Sequence, residues 1–201
     1  MAPLHRVDTD EEALQDFVAS CYADPLRWVI GAYPWGEPGP LEREEGPDAN
    51  QTEFLQALGA EVKARAFDGI TPVLPILMAE TSGHGTGKSA MGAWLAGWLL
   101  STRPHSMGTV TAGTATQLKE RTWAAIQSWM RQCITAHWFT IQAHGIYSIW
   151  SPKDWKLVTQ SCKKENAQSF AGQHARTSSS WFLFDEASEV PDLLWDTAMG
   201  G

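Results

Sequence analysis

Cysteine is scarce in this sequence of 201 residues. The three that occur, Cys21, Cys133 and Cys162, lie far apart and form no C-x-x-C pair. So small and dispersed a set provides neither a disulfide framework nor a zinc ribbon. We therefore predict a protein of a reducing compartment, the cytoplasm, whose fold depends on its core.

Long apolar runs are also missing. The most apolar stretch, 91–100, has ten residues, whereas a membrane-spanning helix needs about 20. The first twelve residues are acidic and lack the apolar segment of a secretory signal peptide. The sequence therefore predicts no membrane span and no leader.

An excess of positive charge is absent as well, since the net charge is −8. Residues 1–70 hold 14 acidic and 5 basic side chains, whereas residues 71–201 hold 9 and 10. A general nucleic-acid coat protein would be strongly basic, so the composition excludes that class. A local DNA-facing patch in the second part of the chain stays open.

What the sequence has is ordinary globular material with unusually many aromatic rings. Hydrophobic residues make up 43% and charged residues 19% of the chain, which includes eleven tryptophans. Such a composition predicts a folded chain with a real core, and most of the tryptophans are expected to lie in it.

Apolar periodicity and turn residues divide the chain into an acidic arm, 1–50, and a larger domain, 51–201. The patterns predict helices around 11–22, 25–32, 51–67, 88–101 and 115–134. They predict strands at 109–111, 141–150, 155–161 and 181–184, and a further strand within the apolar run 73–79 that starts after Pro75. The run 141–150 is a possible hairpin arm. Strands that alternate with helices indicate an α/β fold with a mostly parallel central sheet and helices on both faces.

A glycine-rich stretch, SGHGTGKS at 82–89, separates the first predicted strand from a buried helix. Its end matches the phosphate-binding pattern G-x-x-x-x-G-K-[ST], although Ser82 stands where the first glycine is expected. In such a loop, backbone N–H groups surround the phosphates, the lysine contacts them, and the hydroxyl binds Mg²⁺. Lys88 and Ser89 are the candidates for the last two roles. A glycine-rich turn without a ligand is the alternative.

Two carboxylates follow the last predicted strand. Asp185 and Glu186 end the apolar run 181–184, about a hundred residues after the glycine-rich loop. In P-loop ATPases an aspartate at a strand end helps to hold Mg²⁺, and an adjacent glutamate can act as general base. Alone, such a pair is more often a solvated turn; after a phosphate loop, it indicates hydrolysis.

The ordered motifs together resemble the N-terminal ATPase part of the large terminase subunits of tailed phages, the motors that package DNA into procapsids. The resemblance covers roughly residues 25–200 and depends on the stretches 33–39, 82–90, 110–118, 137–139, 169–174 and 184–188. It implies a RecA-like P-loop NTPase fold with ATP and Mg²⁺ as cofactors.

The resemblance also implies roles for single residues. Asp185 and Ser89 become metal ligands, and Glu186 becomes the catalytic base with Lys88 as its phosphate-binding partner. The nucleotide is bound by Ser82, Gly83, His84, Gly85, Thr86, Gly87, Lys88 and Ser89. Gln51 resembles the glutamine that contacts adenine, with a surface helix residue as the equal alternative. Many terminases have an arginine where this chain has His84, so a phosphate contact and a plain turn residue both stay open there.

As partners, the resemblance implies double-stranded DNA, a portal protein, a small terminase subunit and further copies in a ring, all in the host cytoplasm. A nuclease domain and a coupling motif follow in the family, and this sequence ends at Gly201 without them. We therefore expect a fragment, a truncated product or one piece of a split subunit. A non-catalytic nucleotide-binding module is one competing function, and a DNA helicase or repair ATPase is another.

Other polar residues give weaker signals. Thr111 and Thr114 fit a segment that faces DNA or phosphate in related motors, although threonine is also a good strand former. A basic group that could follow a DNA backbone, or simply be solvated, consists of Lys153, Lys156, Lys163, Lys164 and Arg176. Arg176 could instead act as an arginine finger. His137, His144 and His174 show no metal-ligand spacing and are expected to be ordinary core or surface residues.

Overall fold

The computed structural model describes residues 10–67, 71, 73–81, 87–162, 175 and 178–199. Its helices are α1 (Glu11–Ser20), α2 (Pro25–Ala32), α3 (Ala49–Arg65), α4 (Lys88–Thr102), α5 (Ala115–Gln117), α6 (Ala124–Gln132) and α7 (Asp192–Met199). A π-helical turn, Leu118–Trp123, joins α5 to α6. The strands are β1 (Met107–Ala112), β2 (Phe139–Ile141), β3 (Gly145–Ser148), β4 (Lys156–Thr159) and β5 (Ser180–Asp185).

Aspartates start the first three helices. Asp10, Asp24 and Asp48 each accept a hydrogen bond from a backbone N–H in the first turn of the following helix, at 2.9–3.1 Å. Asp48 belongs to a capping box, because the side chain of Gln51 accepts in return from the Asp48 N–H at 2.9 Å. Such caps are each worth about 1 kcal/mol. Helices α1 and α2 begin at the predicted residues, and α3 begins two residues before the predicted residue 51.

Helix α4 is buried along most of its length, as its apolar sequence predicts. Met91, Trp94, Trp98 and Leu100 are at most 3% exposed. A helix that is apolar on nearly all sides must be covered on nearly all sides, and α1, α2, α6 and the sheet provide this cover. The helix ends at Thr102, shortly before Pro104.

The five strands form one mixed sheet in the order β2-β3-β4-β1-β5. Strand β1 pairs in parallel with β4 and β5, while β2, β3 and β4 pair antiparallel in succession. The run 141–150, predicted as a possible hairpin arm, contains the last residue of β2, the turn and the second arm β3 of a hairpin, so that prediction is confirmed. The α/β class is therefore confirmed, but in the described part the parallel portion is smaller than predicted.

Helices cover both faces of the sheet, as predicted. Successive strand residues point to opposite faces, and the two sides of β5 show this directly. On one face, a Cβ added to Gly92 of α4 would lie 3.3 Å from Leu183. On the other, the rings of Phe184 and Trp195 of α7 stack with centroids 4.0 Å apart.

The predicted strand at 73–79 is wrong. The structure assigns neither helix nor strand to 73–81, and Leu74 and Leu77 are 80% and 67% exposed. A strand needs a neighbour with which to form a ladder, and Pro75 lacks an N–H donor. Within the described residues, the run does not join the five-stranded sheet at any edge. Apolar character alone did not place this run in the sheet.

The core includes eight of the eleven tryptophans, as predicted. Residues from the acidic arm, among them Leu14, Trp28 and Trp35, belong to the same buried cluster as Trp94 and Trp98 of α4. Edge-to-face ring pairs such as Trp35 with Trp94, at 5.6 Å, fix the rings relative to one another. Within the described residues, no helix is both long enough and apolar enough to span a membrane.

Candidate functional site

Helix α4 runs antiparallel to the parallel strands, and this direction decides what its first residues can reach. Near its end, the Leu100 carbonyl accepts from the indole N–H of Trp155 at 2.8 Å, and Trp155 directly precedes β4. About a third of the way along, Gly92 packs against Leu183 in the second half of β5. The helix therefore starts at the carboxyl edge of the sheet.

The predicted loop and strand-end residues meet at this edge. Ser89 lies three residues before Gly92, about 4.5 Å along the helix. Asp185 lies two residues after Leu183, about 6.6 Å along the strand and on the same face. The start of α4 with Lys88 and Ser89 is thus at the level of Asp185 and Glu186. Residues nearly a hundred positions apart share one edge, although their chemical roles stay predictions.

The start of α4 has the backbone of an anion-binding turn. Gly87 precedes it with a left-handed φ of +79°, and among the described residues no side chain caps the helix. The first N–H groups of a helix have no acceptor within it, and they carry a partial positive charge. Phosphate groups suit this position. Lys88 is half-buried, and Ser89 is exposed.

The Asp185 carboxylate is held by two donors. Its Oδ2 accepts from the Thr122 hydroxyl at 2.5 Å, and its Oδ1 accepts from the backbone N–H of Glu186 at 3.0 Å. A carboxylate has about four acceptor positions, so capacity remains on both oxygens. The side chain is therefore oriented and still able to bind a cation.

Glu186 adopts a backbone conformation that glutamate rarely takes. Its φ and ψ are 50° and 51°, in the left-handed region, at the start of the turn Ala187–Glu189. For a residue with a Cβ this costs about 1–2 kcal/mol, and such strain concentrates at functional positions. The exposed side chain leaves the sheet directly beside Asp185.

Gln51 contacts the end of the glycine-rich loop. It is only 6% exposed, so the alternative of a surface helix residue is wrong. Its Oε1 accepts from the Asp48 N–H in the capping box, and its Nε2 would lie 2.4 Å from a Cβ built on Gly87. The adenine contact stays a prediction; the observed contacts are with the helix start and with Gly87.

Replacing Gly87 with alanine should therefore destabilise the protein more than left-handed strain alone. The added Cβ would displace the Gln51 Nε2, although the Oε1 of the same amide is held by the Asp48 N–H in the capping box. We expect the free energy of unfolding to fall by about 1–2 kcal/mol because of the backbone strain. It should fall by about 1 kcal/mol more because the hydrogen bond of Gln51 is displaced. Gly36→Ala is the control, since Gly36 has φ +69° and no atom within 4 Å of its Cβ position. Equal losses in urea denaturation would contradict the Gln51–Gly87 contact.

The remaining predicted residues are placed as follows. Thr111 is 1% exposed, so it does not face a DNA backbone, whereas exposed Thr114 caps α5 through Gln117. Lys153 and His144 are exposed, and exposed His137 contacts the Glu11 carboxylate at 3.1 Å. Eight predicted residues lie outside the described part of the chain: Ser82, Gly83, His84, Gly85, Thr86, Lys163, Lys164 and Arg176. His174 also lies outside it.

Two groups at this edge were missed from the sequence. One is Thr122, which donates to Asp185. It lies within the predicted helix 115–134, whose sequence does not indicate a polar contact at this position. At the end of β1, a Cβ on Gly113 would meet the Glu189 carboxylate, and the Cys162 thiol donates to the Gly113 carbonyl at 3.1 Å. Burial, and after it the Glu189 charge, raises the pKa of Cys162, so this thiol stays protonated at neutral pH.

The donor set at this edge fits Mg²⁺. A hydroxyl at the start of a helix and one oriented carboxylate are oxygen ligands of the kind that Mg²⁺ prefers, with phosphate and water completing its shell. Among the residues that the structure describes, no group of three or more His, Cys, Asp or Glu side chains could hold a metal ion. Mg²⁺ is usually bound through one or two carboxylates together with substrate phosphates.

Comparison with known proteins supports the resemblance drawn from the motifs. A curated protein of Enterobacteria phage P7, named "Probable terminase, large subunit", is 27% identical over 190 residues. The match covers 90% of this chain and 35% of the phage P7 protein, so the chain spans about a third of that relative's length. No protein-family model matches the chain, and no solved structure matches it. The predicted similarity to terminase large subunits is thus confirmed, at modest identity.

Proposed function

We propose that this chain, which is similar to a terminase large subunit, is the ATP-hydrolysing part of a DNA-packaging motor with a RecA-like P-loop fold. One observation carries the proposal: the start of α4 and the Asp185–Glu186 pair lie at the same edge of the sheet. A phosphate-binding helix start beside two carboxylates is the arrangement that nucleotide hydrolysis requires.

Each residue has one role in this proposal. The glycine-rich loop and Lys88 bind the phosphates, and Ser89 and Asp185 hold Mg²⁺. When bound, Mg²⁺ neutralises phosphate charge. Glu186 orients a water molecule and accepts its proton. The strain at Glu186 supports this role, because a residue kept in a costly conformation at an exposed strand end contributes little to the fold.

The partners follow from the resemblance. The substrate track would be double-stranded DNA, and the assembly would contain further copies, a portal protein and a small terminase subunit, in the cytoplasm of the host. Among the described residues, exposed Lys153 is available for the DNA backbone, which needs positive charge but no base reading. The activity of a whole packaging enzyme belongs to this proposal as well.

Phosphate release by the purified chain tests the proposal. We expect hydrolysis of ATP that requires Mg²⁺, stops with EDTA, and rises when linear double-stranded DNA is added. The rate should fall to background in Glu186→Gln. Hydrolysis that persists in EDTA, or at the wild-type rate in this variant, would contradict the proposal.

A nucleotide-binding module without turnover is the second candidate. The exposure of Leu74 and Leu77 favours it, because the run 73–81 before the glycine-rich sequence is not a strand of the sheet whose edge carries Asp185. This candidate predicts ATP binding that Lys88→Ala removes, with no phosphate release under any of these conditions.

A further inference from the structure

Thr122 is a buried threonine whose hydroxyl, within the described part of the chain, contacts the carboxylate at the end of β5. It is 4% exposed, and its Oγ1 donates to Asp185 Oδ2 at 2.5 Å across 63 residues of sequence. Hydrogen bonds from a hydroxyl to a carboxylate are about twice as strong as neutral ones. This bond links the helical segment after β1 to the end of β5.

The π-helical turn explains how Thr122, on the side of this segment that faces the core, contacts Asp185. Leu118–Trp123 forms i→i+5 bonds and so holds one residue more per turn than the α-helical segments that flank it. Consecutive residues Thr122 and Trp123 are both buried there, at 4% and 2% exposure. Trp123 joins the apolar core, while Thr122 meets a carboxylate. Turns of this kind occur frequently at functional sites.

We propose that Thr122 is the positioning residue for Asp185, holding its carboxylate in the one orientation that binds the metal ion of the nucleotide. The inference rests on the proposed function. Its physical basis is that, among the described residues, Oδ2 of Asp185 accepts from Thr122 and Oδ1 accepts from the Glu186 N–H. The second donor belongs to the neighbouring residue and turns with the strand end, so Thr122 is the contact that fixes the side chain from outside.

A purely structural role for Thr122 makes a different prediction. In that case the hydroxyl would only join the π-helical turn to β5, and its loss would lower stability without a specific effect on metal binding. Metal affinity and stability must therefore be measured on the same variants. Removal of a residue that orients a metal ligand typically lowers the affinity for the metal by about 10–100-fold.

Thr122→Val is the test variant, since it keeps the shape and removes the hydroxyl, and Thr122→Ser restores the hydroxyl. Thr109→Val is the matched control. Thr109 is 1% exposed on β1, and within the described part of the chain its hydroxyl has no hydrogen-bond partner. Its replacement should therefore be nearly neutral.

The measurement is the affinity of Mn²⁺, followed by its electron paramagnetic resonance signal, in the presence of a non-hydrolysable ATP analogue. We expect Thr122→Val to lower the affinity for Mn²⁺ about tenfold or more. Thr122→Ser and Thr109→Val should stay close to wild type. Binding of the analogue in EDTA should not change in any variant, and thermal unfolding reports stability separately.

The outcomes distinguish a failure of the positioning role of Thr122 from a failure of the proposed function. If wild type binds Mn²⁺ with the analogue but Thr122→Val binds it equally well, the positioning role is wrong and the proposed function stands. If Thr122→Ser is as weak as Thr122→Val, the hydroxyl is not the cause and the positioning role is again wrong. If wild type binds no Mn²⁺ with the analogue, the proposed function fails and this inference fails with it.

Discussion

Replacing Lys88 with alanine should weaken ATP binding by about 10–150-fold, the equivalent of one hydrogen bond to a charged group at about 1.5–3 kcal/mol. Lys88 begins α4 directly after the left-handed Gly87, at the edge of the sheet where Asp185 ends β5. A lysine there adds a full positive charge to the partial charge of the helix start. Titration with a fluorescent ATP analogue measures the change.

Lys63→Ala is the matched control for this prediction. It removes the same charge from an exposed position in the last turn of α3, twelve residues or about 18 Å along the helix from Gln51. We expect unchanged affinity for that variant. Weak ATP binding that does not respond to Lys88→Ala would show that the start of α4 is not a phosphate site.

Replacing Glu186 with glutamine should lower ATP turnover by about 100–10,000-fold, the usual contribution of a general base, while ATP binding is retained. Glutamine keeps the shape of the side chain and cannot accept the proton. It also keeps the left-handed strain, so the free energy of unfolding should stay unchanged. Single-turnover hydrolysis and equilibrium binding, measured on the same preparation, give the two quantities.

Two further variants make the test of Glu186 stricter. Asp192→Asn removes an exposed carboxylate in the first turn of α7 and should leave turnover unchanged. Glu186→Gly should abolish turnover and stabilise the fold by about 1 kcal/mol, since glycine adopts left-handed φ without cost. A Glu186→Gln variant with wild-type turnover would exclude Glu186 as the base.

The helices and the candidate site could be predicted from local signals. Aspartate caps, the apolar α4 and the strand end at Asp185 are each encoded within a few neighbouring residues, and the structure has them at these places. The phosphate pattern and the acidic pair could be associated from their order along the chain. Whether they meet in space depends on the direction of α4, which no local pattern contains.

The errors and omissions concern features that depend on contacts between residues far apart in the sequence. The run 73–79 has the apolar character of a strand, but a strand also needs a neighbouring strand, and a one-dimensional pattern does not show which edges are occupied. Thr122 lies 63 residues from Asp185, inside a helical pattern in which a buried threonine attracts no notice. Gln51 was recognised only by resemblance, and its place beside Gly87 depends on how α3 packs near the start of α4.

The most direct test of the central claim is a crystal structure of the chain with Mn²⁺ and a non-hydrolysable ATP analogue, with the metal located by anomalous scattering. We predict one Mn²⁺ peak about 2–2.5 Å from Ser89 Oγ. Asp185 should lie on the opposite side of the ion, directly bound or through water, and the phosphates should lie over the start of α4. Nucleotide bound elsewhere, or a metal ion remote from both Ser89 and Asp185, would contradict the account.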